Sequence, residues 1–460
     1  FISTLAAFFS ASGGASIGQY GPLVHFGTTL GAWLKRTIPF NFTPDLYIGA
    51  GVAASISSGF GAPLAGLIFA HEAILRHYSH KSILAIATAS GISYAVSTGI
   101  WGDANIINVS NDQFSLLLIL VISFLAGPIF GLIAILYMKS LLLFSKLASS
   151  SKIKVLPKYF FGILSLSIIG HFIPEVMGLG TETVMGVLNS SYTLVFLIVI
   201  LLGKILATSI SLNFGFFGGV FSPAILVGAA AGAVVSTFLV TVGIFEDFQQ
   251  AIVISGIAAV AGAVIGAPIC MVIIVLELTN SYTYALASLV GLAISVGYVQ
   301  VRFGSSYFDV QLLNRGIDIS DGRTGLFMTE TDILQFAETK FYTIKDSETI
   351  EKATSLMSEV DQSELIVVNQ SGEFVGKITS LSLFDKKGSL LTSKVIDKDC
   401  VFIEHDASLQ TAIEIASNFV GEIIPIVQTD TNKAVATITE GAIFQAYLSK
   451  QNQTVEMEKR

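Results

Sequence analysis

Charge is what this chain has least of. Only 13% of its 460 residues are Asp, Glu, Lys or Arg, about half the share of an ordinary soluble domain. With 52% apolar residues and a mean hydropathy of +0.73, a water-soluble core cannot absorb the deficit, and lipid is the expected solvent. Cysteine is almost absent. Cys270 and Cys400 are its only two, too few for a disulfide framework or a metal site. The six histidines show no ligand spacing. No basic patch suggests nucleic acid, and no catalytic triad, metal cluster or phosphate loop suggests an enzyme. A starting Met is also missing: Phe1 opens the chain inside an apolar run, without the basic start of a signal peptide. We expect the true N-terminus, and some membrane helices with it, to lie upstream.

The scarce charge is unevenly placed. Residues 1–320 carry 12 Lys/Arg against 11 Asp/Glu, a net of +1, whereas residues 321–460 carry 13 against 22, a net of −9. This predicts an apolar membrane domain over 1–320, a linker over 321–336 and an acidic domain beyond. The first part holds long apolar stretches at Ser82–Gly99, Phe114–Tyr137, Tyr192–Ala207, Val220–Val242 and Tyr284–Val301. Most are about long enough to cross a bilayer. Between them lie short pieces broken by Gly and Pro: Gly13–Pro22, Gly59–Pro63, Gly215–Pro223 and Gly262–Pro268.

These pieces repeat. Gly51–Pro63, continuing to Glu72, resembles Gly256–Pro268, continuing to Glu277, at a constant offset of 205 with eight identical positions. At offset 201, Pro22, Gly27 and Gly31 pair with Pro223, Gly228 and Gly232. Interrupted segments at corresponding places in two halves point to a binding site near the membrane midplane. Loop charge gives a partial orientation. Arg76–Lys81 is basic and Lys139, Lys146, Lys152, Lys154 and Lys158 cluster, whereas Trp101–Gln113 holds Asp103 and Asp112 and no Lys or Arg. The first two loops are expected in the cytoplasm and the third outside; the acidic part, following Arg302 and Arg315, suits the cytoplasm. From about residue 337 the pattern becomes a tandem β-α-β-β repeat, 337–390 and 391–450, with a tail over 451–460.

An anion inside a membrane needs positive potential without a tightly binding charge. Helix N-termini supply it through unpaired N–H groups and the positive end of the dipole. A glycine-rich turn with Pro in the first helical turn builds such an end. Gly18-Gln-Tyr-Gly-Pro22 and Gly215-Phe-Phe-Gly-Gly-Val-Phe-Ser-Pro223 both fit. Close packing of helices through small residues is the simpler reading of one such turn; two placed alike favour an anion site.

The motifs are also specific as a set. Gly219-Val-Phe-Ser-Pro223 resembles the G-x-F-x-P filter segment of the CLC chloride channels and transporters, and Gly18–His25 resembles that family's G-(K/R)-E-G-P segment. Gly61–Gly66 and Gly266–Pro268 match its other repeated blocks, Gly304–Tyr307 falls where it places its pore tyrosine, and the acidic part resembles tandem CBS domains. The resemblance implies a mostly α membrane protein, an inverted-repeat bundle of broken, tilted helices (the CLC fold), followed by an α/β tandem CBS domain. It implies a homodimer with one pore per subunit, carrying chloride or another small monovalent anion. The backbone of Gly21, Gly219, Val220 and Phe221 and the hydroxyl of Tyr307 would then hold the anion. The family's first filter segment, with its anion-binding serine, would lie upstream of Phe1.

Two departures carry the functional reading. The family's gating glutamate falls on Tyr20, and its inner proton-transfer glutamate falls on Ala73, one residue after Glu72. Glu72 matches a neighbouring acid that reads as structural. A phenol titrates near pH ~10 and alanine not at all, so both proton stations are lost. His71 is a lone helical histidine, more consistent with packing than with proton transfer. Lys204 either raises the potential near the pore or snorkels to an interface. In the CBS part, Thr379 and Thr439 are followed three residues later by Ser382 and Ala442, where nucleotide-binding units commonly place an aspartate, so adenosine nucleotide is doubtful and no other cofactor is expected. The leading expectation is a passive, proton-uncoupled chloride channel. A coupled antiporter with another proton route, and a ligand-binding tail on a pore plugged by Tyr20, remain open.

Overall fold

In the computed structural model the chain divides into two compact units, residues 1–314 and 315–459. The structure describes residues 2–459 apart from 39–42, 79, 103–106, 108, 110–114, 151–154, 244–247, 316 and 318–321. Asp103, Asp112, Lys152 and Lys154, on which much of the loop-charge orientation rests, lie outside the described residues, as does Phe114.

The first unit runs α1 Ile2–Ser12, α2 Tyr20–Thr37, α3 Pro44–Phe60, α4 Pro63–Phe69, α5 His80–Trp101, α6 Leu116–Ser150 and α7 Val155–Phe172, then α8 Thr181–Leu188, α9 Leu194–Asn213, α10 Phe221–Thr241, α11 Gln249–Ile265, α12 Pro268–Thr279, α13 Tyr282–Arg302 and α14 Tyr307–Leu313. A π-helical turn, Ala70–Leu75, extends α4. Five spans among the described residues are long and apolar enough to cross a membrane: Ser82–Trp101, Leu116–Ser150, Leu194–Asn213, Phe221–Thr241 and Tyr282–Leu313. They coincide with the five expected stretches. Along α6 a single exposed stripe of Leu117, Val121, Leu125, Ile129, Leu132, Leu136, Leu143 and Leu147 follows helical periodicity, as a lipid-facing surface requires.

The repeat is visible in the backbone. α3 ends at Gly61 and α11 at Gly266, both left-handed (φ 66° and 79°), a conformation open to glycine without steric cost. Each is followed by Ala and by Pro opening the next helix. The small residues then act in matching pairs. A Cβ on Gly27 would stand 2.2 Å from the Gly51 carbonyl oxygen, and one on Gly228 would stand 2.5 Å from that of Gly256. Glycine is required where α2 crosses α3 and α10 crosses α11.

The second unit holds two three-stranded sheets of the same topology. β1 Thr343–Lys345 is parallel to β2 Glu364–Val368, which is antiparallel to β3 Phe374–Thr379. β4 Ile403–Glu404, β5 Ile424–Gln428 and β6 Lys433–Ile438 repeat the pattern. The crossover helices are Ile350–Val360 and Leu409–Ala416, whose apolar faces supply Ala353 and Met357, and Ala412 and Ala416, to two separate cores. A buried ion pair joins the two repeats: Glu364 Oε2 accepts from Lys377 Nζ (2.8 Å) and from the N–H groups of Glu422 and Ile423 (both 3.0 Å).

Three boundaries differ from expectation. The tail unit starts at Arg315 rather than after 320. The stretch 321–336 is not a linker but folded, with helix Gly322–Glu330 and a 3-10 turn Ile333–Phe336. Met328 and Ile333 complete the core of the second repeat, and the N–H of Leu409 bonds the Thr331 carbonyl (2.8 Å). Its sequence reads as a linker because the apolar side chains it buries, Met328 and Ile333, stand among charged and polar residues. At the other end, the expected tail over 451–460 continues the last helix, Glu440–Lys459, through its described residues.

Candidate anion site

The two Gly-Pro turns meet. The N–H of Gly18 donates to the carbonyl of Gly219 (2.7 Å), and the N–H of Gly219 donates back to Gly18 (2.8 Å). Two helix N-termini, those of α2 and α10, are thereby tied side by side. Each helix has Pro at its third position, Pro22 and Pro223, where a missing N–H costs nothing. The first intrahelical bonds close at Leu23 onto Gln19 (3.1 Å) and at Ala224 onto Val220 (3.0 Å). Upstream of them the N–H groups of Gln19, Tyr20 and Gly21, and of Val220, Phe221 and Ser222, meet no acceptor among the described residues. Gln19 and Gly21 are exposed, but Val220, Phe221 and Ser222 are buried, and burying such donors costs roughly 1–3 kcal/mol each unless something accepts from them. Negative charge is what this arrangement of donors and dipoles accepts. The approach leaves no room for side chains: a Cβ on Gly21 would stand 3.0 Å from Gly219 Cα.

Aromatic rings close over these helix starts. The Tyr20 ring stacks on Phe60, with centroids 3.7 Å apart and planes 9° apart, and lies tilted against Phe221 at 5.3 Å. Phe69, the last residue of α4, also reaches Phe221 (6.3 Å). Tyr307 opens α14 and is buried, and its hydroxyl accepts from Gln311 Nε2 (2.8 Å). α14 is fixed in place by a capping box between Ser306 and Asp309, and Asp309 in turn pairs with Arg76 Nη2.

Sequence reasoning missed Tyr137. It is fully buried in the middle of α6, its hydroxyl approaches the Val220 carbonyl at 3.4 Å, and it lies close enough to Tyr307 to interact electrostatically. It therefore ties the middle of α6 to the start of α10. In the sequence Tyr137 closes the apolar stretch Phe114–Tyr137, where an interfacial aromatic belongs, and only the extension of α6 to Ser150 puts it inside the helix.

The other named residues fall outside this cluster. Lys204 is fully buried and donates to the carbonyls of Val176 (3.0 Å) and Gly178 (2.9 Å); the interfacial alternative is excluded because no part of it reaches the surface. Val176 also accepts from Ser16 Oγ (2.8 Å), which contacts Thr208 Oγ1 (3.1 Å). Lys204 thus braces the segment that leads into Gly18. Ala73 is half-buried in the π turn after α4. His71 is buried beside it, with Nδ1 on the His77 carbonyl (2.8 Å).

Glu72 and Glu277 have reciprocal roles. Glu72 accepts from the N–H groups of Ile269 (2.9 Å) and Cys270 (2.8 Å), capping α12, while Glu277 accepts from those of Leu64 and Ala65 (both 2.8 Å), capping α4. Each repeat's glutamate closes the other repeat's helix. Glu72→Ala should lower stability by about 3 kcal/mol, since it strands two N–H groups that now bond a carboxylate; Glu72→Gln, which keeps one acceptor oxygen, should lose about half of that. Thermal unfolding of the purified full chain measures this, and an unchanged midpoint for Glu72→Ala would show the caps to be idle.

Residues 1–300 match the family described as "Voltage gated chloride channel", and residues 331–387 match the CBS domain. The chain is 28% identical over 292 residues to an uncharacterized protein of Methanocaldococcus jannaschii, covering 63% of this chain and 71% of that protein. It is 27% identical over 321 residues to the H(+)/Cl(-) exchange transporter ClcA of Vibrio vulnificus, covering 66% and 67%. Among solved structures, a slow cyanobacterial Cl-/H+ antiporter superposes with a TM-score of 0.58 at 20% identity, over 66% of this chain and 72% of the other. A eukaryotic CLC transporter superposes at 0.55 with 15% identity, over 94% and 77%. At these identities the structures are evidence of fold alone.

Proposed function

The chain belongs to the voltage gated chloride channel family and is an anion transporter; on that premise we propose that it is a passive, proton-uncoupled channel for chloride, with Tyr20 at the outer gate. The anion rests on the N–H groups of Val220 and Phe221, with Gly21 and Gly219 leaving room for it and the Tyr307 hydroxyl facing it. The observation that carries the uncoupled reading is what stands at and beside the two proton positions of the family. Glu72 and Glu277 are each committed to two backbone N–H groups, Ala73 has nothing to titrate, and the ring over the helix starts is a phenol stacked on Phe60. The protein is a homodimer in a plasma or inner membrane, and its acidic unit lies in the cytoplasm. That unit binds adenosine nucleotide weakly or not at all, because Thr379 and Ser382 spend their hydroxyls on each other's backbone in a capping box.

The rival reading, coupled exchange, is favoured by the activity for which relatives such as the Vibrio transporter are named. Chloride efflux from liposomes, recorded beside a proton electrode, separates the two. The expected result is efflux without stoichiometric proton uptake, and a reversal potential that ignores the proton gradient. Proton uptake against a gradient, driven by chloride efflux, would overturn the uncoupled reading.

A further inference from the structure

Ser222 occupies a position where the two repeats differ in kind. At offset 201 it corresponds to Gly21, so one of the paired helix starts has a hydroxyl and the other has none. Ser222 is the second residue of α10, a helix of 21 residues. Its side chain is buried, with the residue 8% exposed, and its Oγ has no hydrogen-bond partner among the described residues. Serine inside a helix ordinarily bonds back to a carbonyl one turn earlier; at the second position no such helical carbonyl exists. Cα–Cβ bonds in a helix tilt toward its N-terminus, so this hydroxyl leans to the same end as the unbonded N–H groups of Val220, Phe221 and Ser222. The place is also kept clear. A Cβ on Gly18 would stand 2.9 Å from Ser222 N, so the neighbouring turn leaves the donors uncovered.

We infer that Ser222 is a further anion ligand, its hydroxyl donating to the same halide that the N–H groups of α10 hold and favouring chloride over larger, more weakly hydrogen-bonding anions. The inference rests on the anion-site reading above. Physically, a buried hydroxyl without a partner is a cost in the empty protein. It becomes a gain only when an acceptor enters, and the acceptor that suits three N–H donors and one O–H donor at a positive helix end is an anion.

Those two states give the test. Purified full-length protein is melted in sodium chloride, in sodium iodide and in sodium gluconate, as wild type, Ser222→Ala and Ser222→Thr. Without halide, Ser222→Ala should melt at or above wild type, because nothing was bonded to the hydroxyl. In chloride its stabilisation should shrink, with chloride affinity lowered roughly tenfold, the lower end of what a hydrogen bond to a charged group is worth. Iodide affinity should change less, and Ser222→Thr should keep the chloride response. If Ser222→Ala binds chloride as tightly as a wild type that does bind it, the hydroxyl is no ligand and the anion site stands without it. If Ser222→Ala is destabilised in gluconate by as much as in chloride, the hydroxyl has a structural partner and the inference falls. If wild type is neither stabilised by chloride nor conducts it, the site reading falls and takes this inference with it.

Discussion

Replacing Tyr20 with alanine should raise chloride efflux about tenfold, because the gate's hold on its neighbours is of the order of one stacked aromatic pair, ~1.4 kcal/mol. The ring lies flat on Phe60 at 3.7 Å and against Phe221 at 5.3 Å, and the N–H of Phe221 meets no acceptor among the described residues. Moving the ring aside turns two side-chain torsions and needs no proton. Wild-type flux should therefore vary little between about pH 5 and 8, apart from any histidine titration. Tyr20→Glu makes the opposite prediction. A carboxylate competes with the anion for the helix starts when ionised and leaves when protonated, so block should deepen as pH rises above about 4. Exchange should not appear, since Ala73 still lacks a titratable group. Efflux with a proton electrode checks all three proteins. A Tyr20→Ala variant no faster than wild type would show that the ring does not limit passage, and proton coupling in Tyr20→Glu would show that a second proton station exists elsewhere.

Gly18→Ala should abolish transport, lowering efflux by at least about a hundredfold, which corresponds to roughly 2.7 kcal/mol. The added methyl would stand 2.9 Å from both the Gly219 carbonyl oxygen and Ser222 N, and 3.0 Å from Pro223 Cδ. Backbone cannot swing away as a side-chain tip can, so the paired turns must part. Parting them breaks two mutual hydrogen bonds and moves the two sets of donors off a common target. Gly91→Ala is the matched control: it adds a methyl to a helical glycine where nothing lies within 4 Å, and its flux should equal wild type. Equal loss in both variants, or no loss in Gly18→Ala, would refute the role given to the bridge.

Much of this architecture is legible before folding. Helix breaks at Gly61-Ala-Pro63 and Gly266-Ala-Pro268 are local chemistry: a left-handed glycine, then a proline that can only start a helix. Long spans are equally local, being runs of apolar residues. The offset of 201 in sequence points to paired Gly-Pro turns, but not to their meeting, because the Gly18–Gly219 bridge joins residues about two hundred apart and depends on how whole helices cross. Tyr137 escaped notice, and Ser222 read only as the variable place of the G-x-F-x-P motif, for a related reason. Neither residue type is unusual in a membrane helix, and only the partners around each, or their absence, give it meaning. Lys204 was legible as an oddity, yet the two carbonyls that hold it lie in a turn no pattern foretells. The stretch 321–336 misled because its charge suggested a solvated linker, while Met328 and Ile333 are what the second sheet needed to close its core.

The crossed glutamates make the two halves mutually dependent in time as well as in space. Leu64 and Ala65 wait for Glu277, which is 213 residues later than Leu64, and Glu72 waits for Ile269 and Cys270. During synthesis the first half therefore enters the membrane with one helix start uncapped and one carboxylate unpartnered, a debt that cannot be settled within that half. Contacts of such separation form late. Until the second half arrives, the first can hold its helices but not their final register.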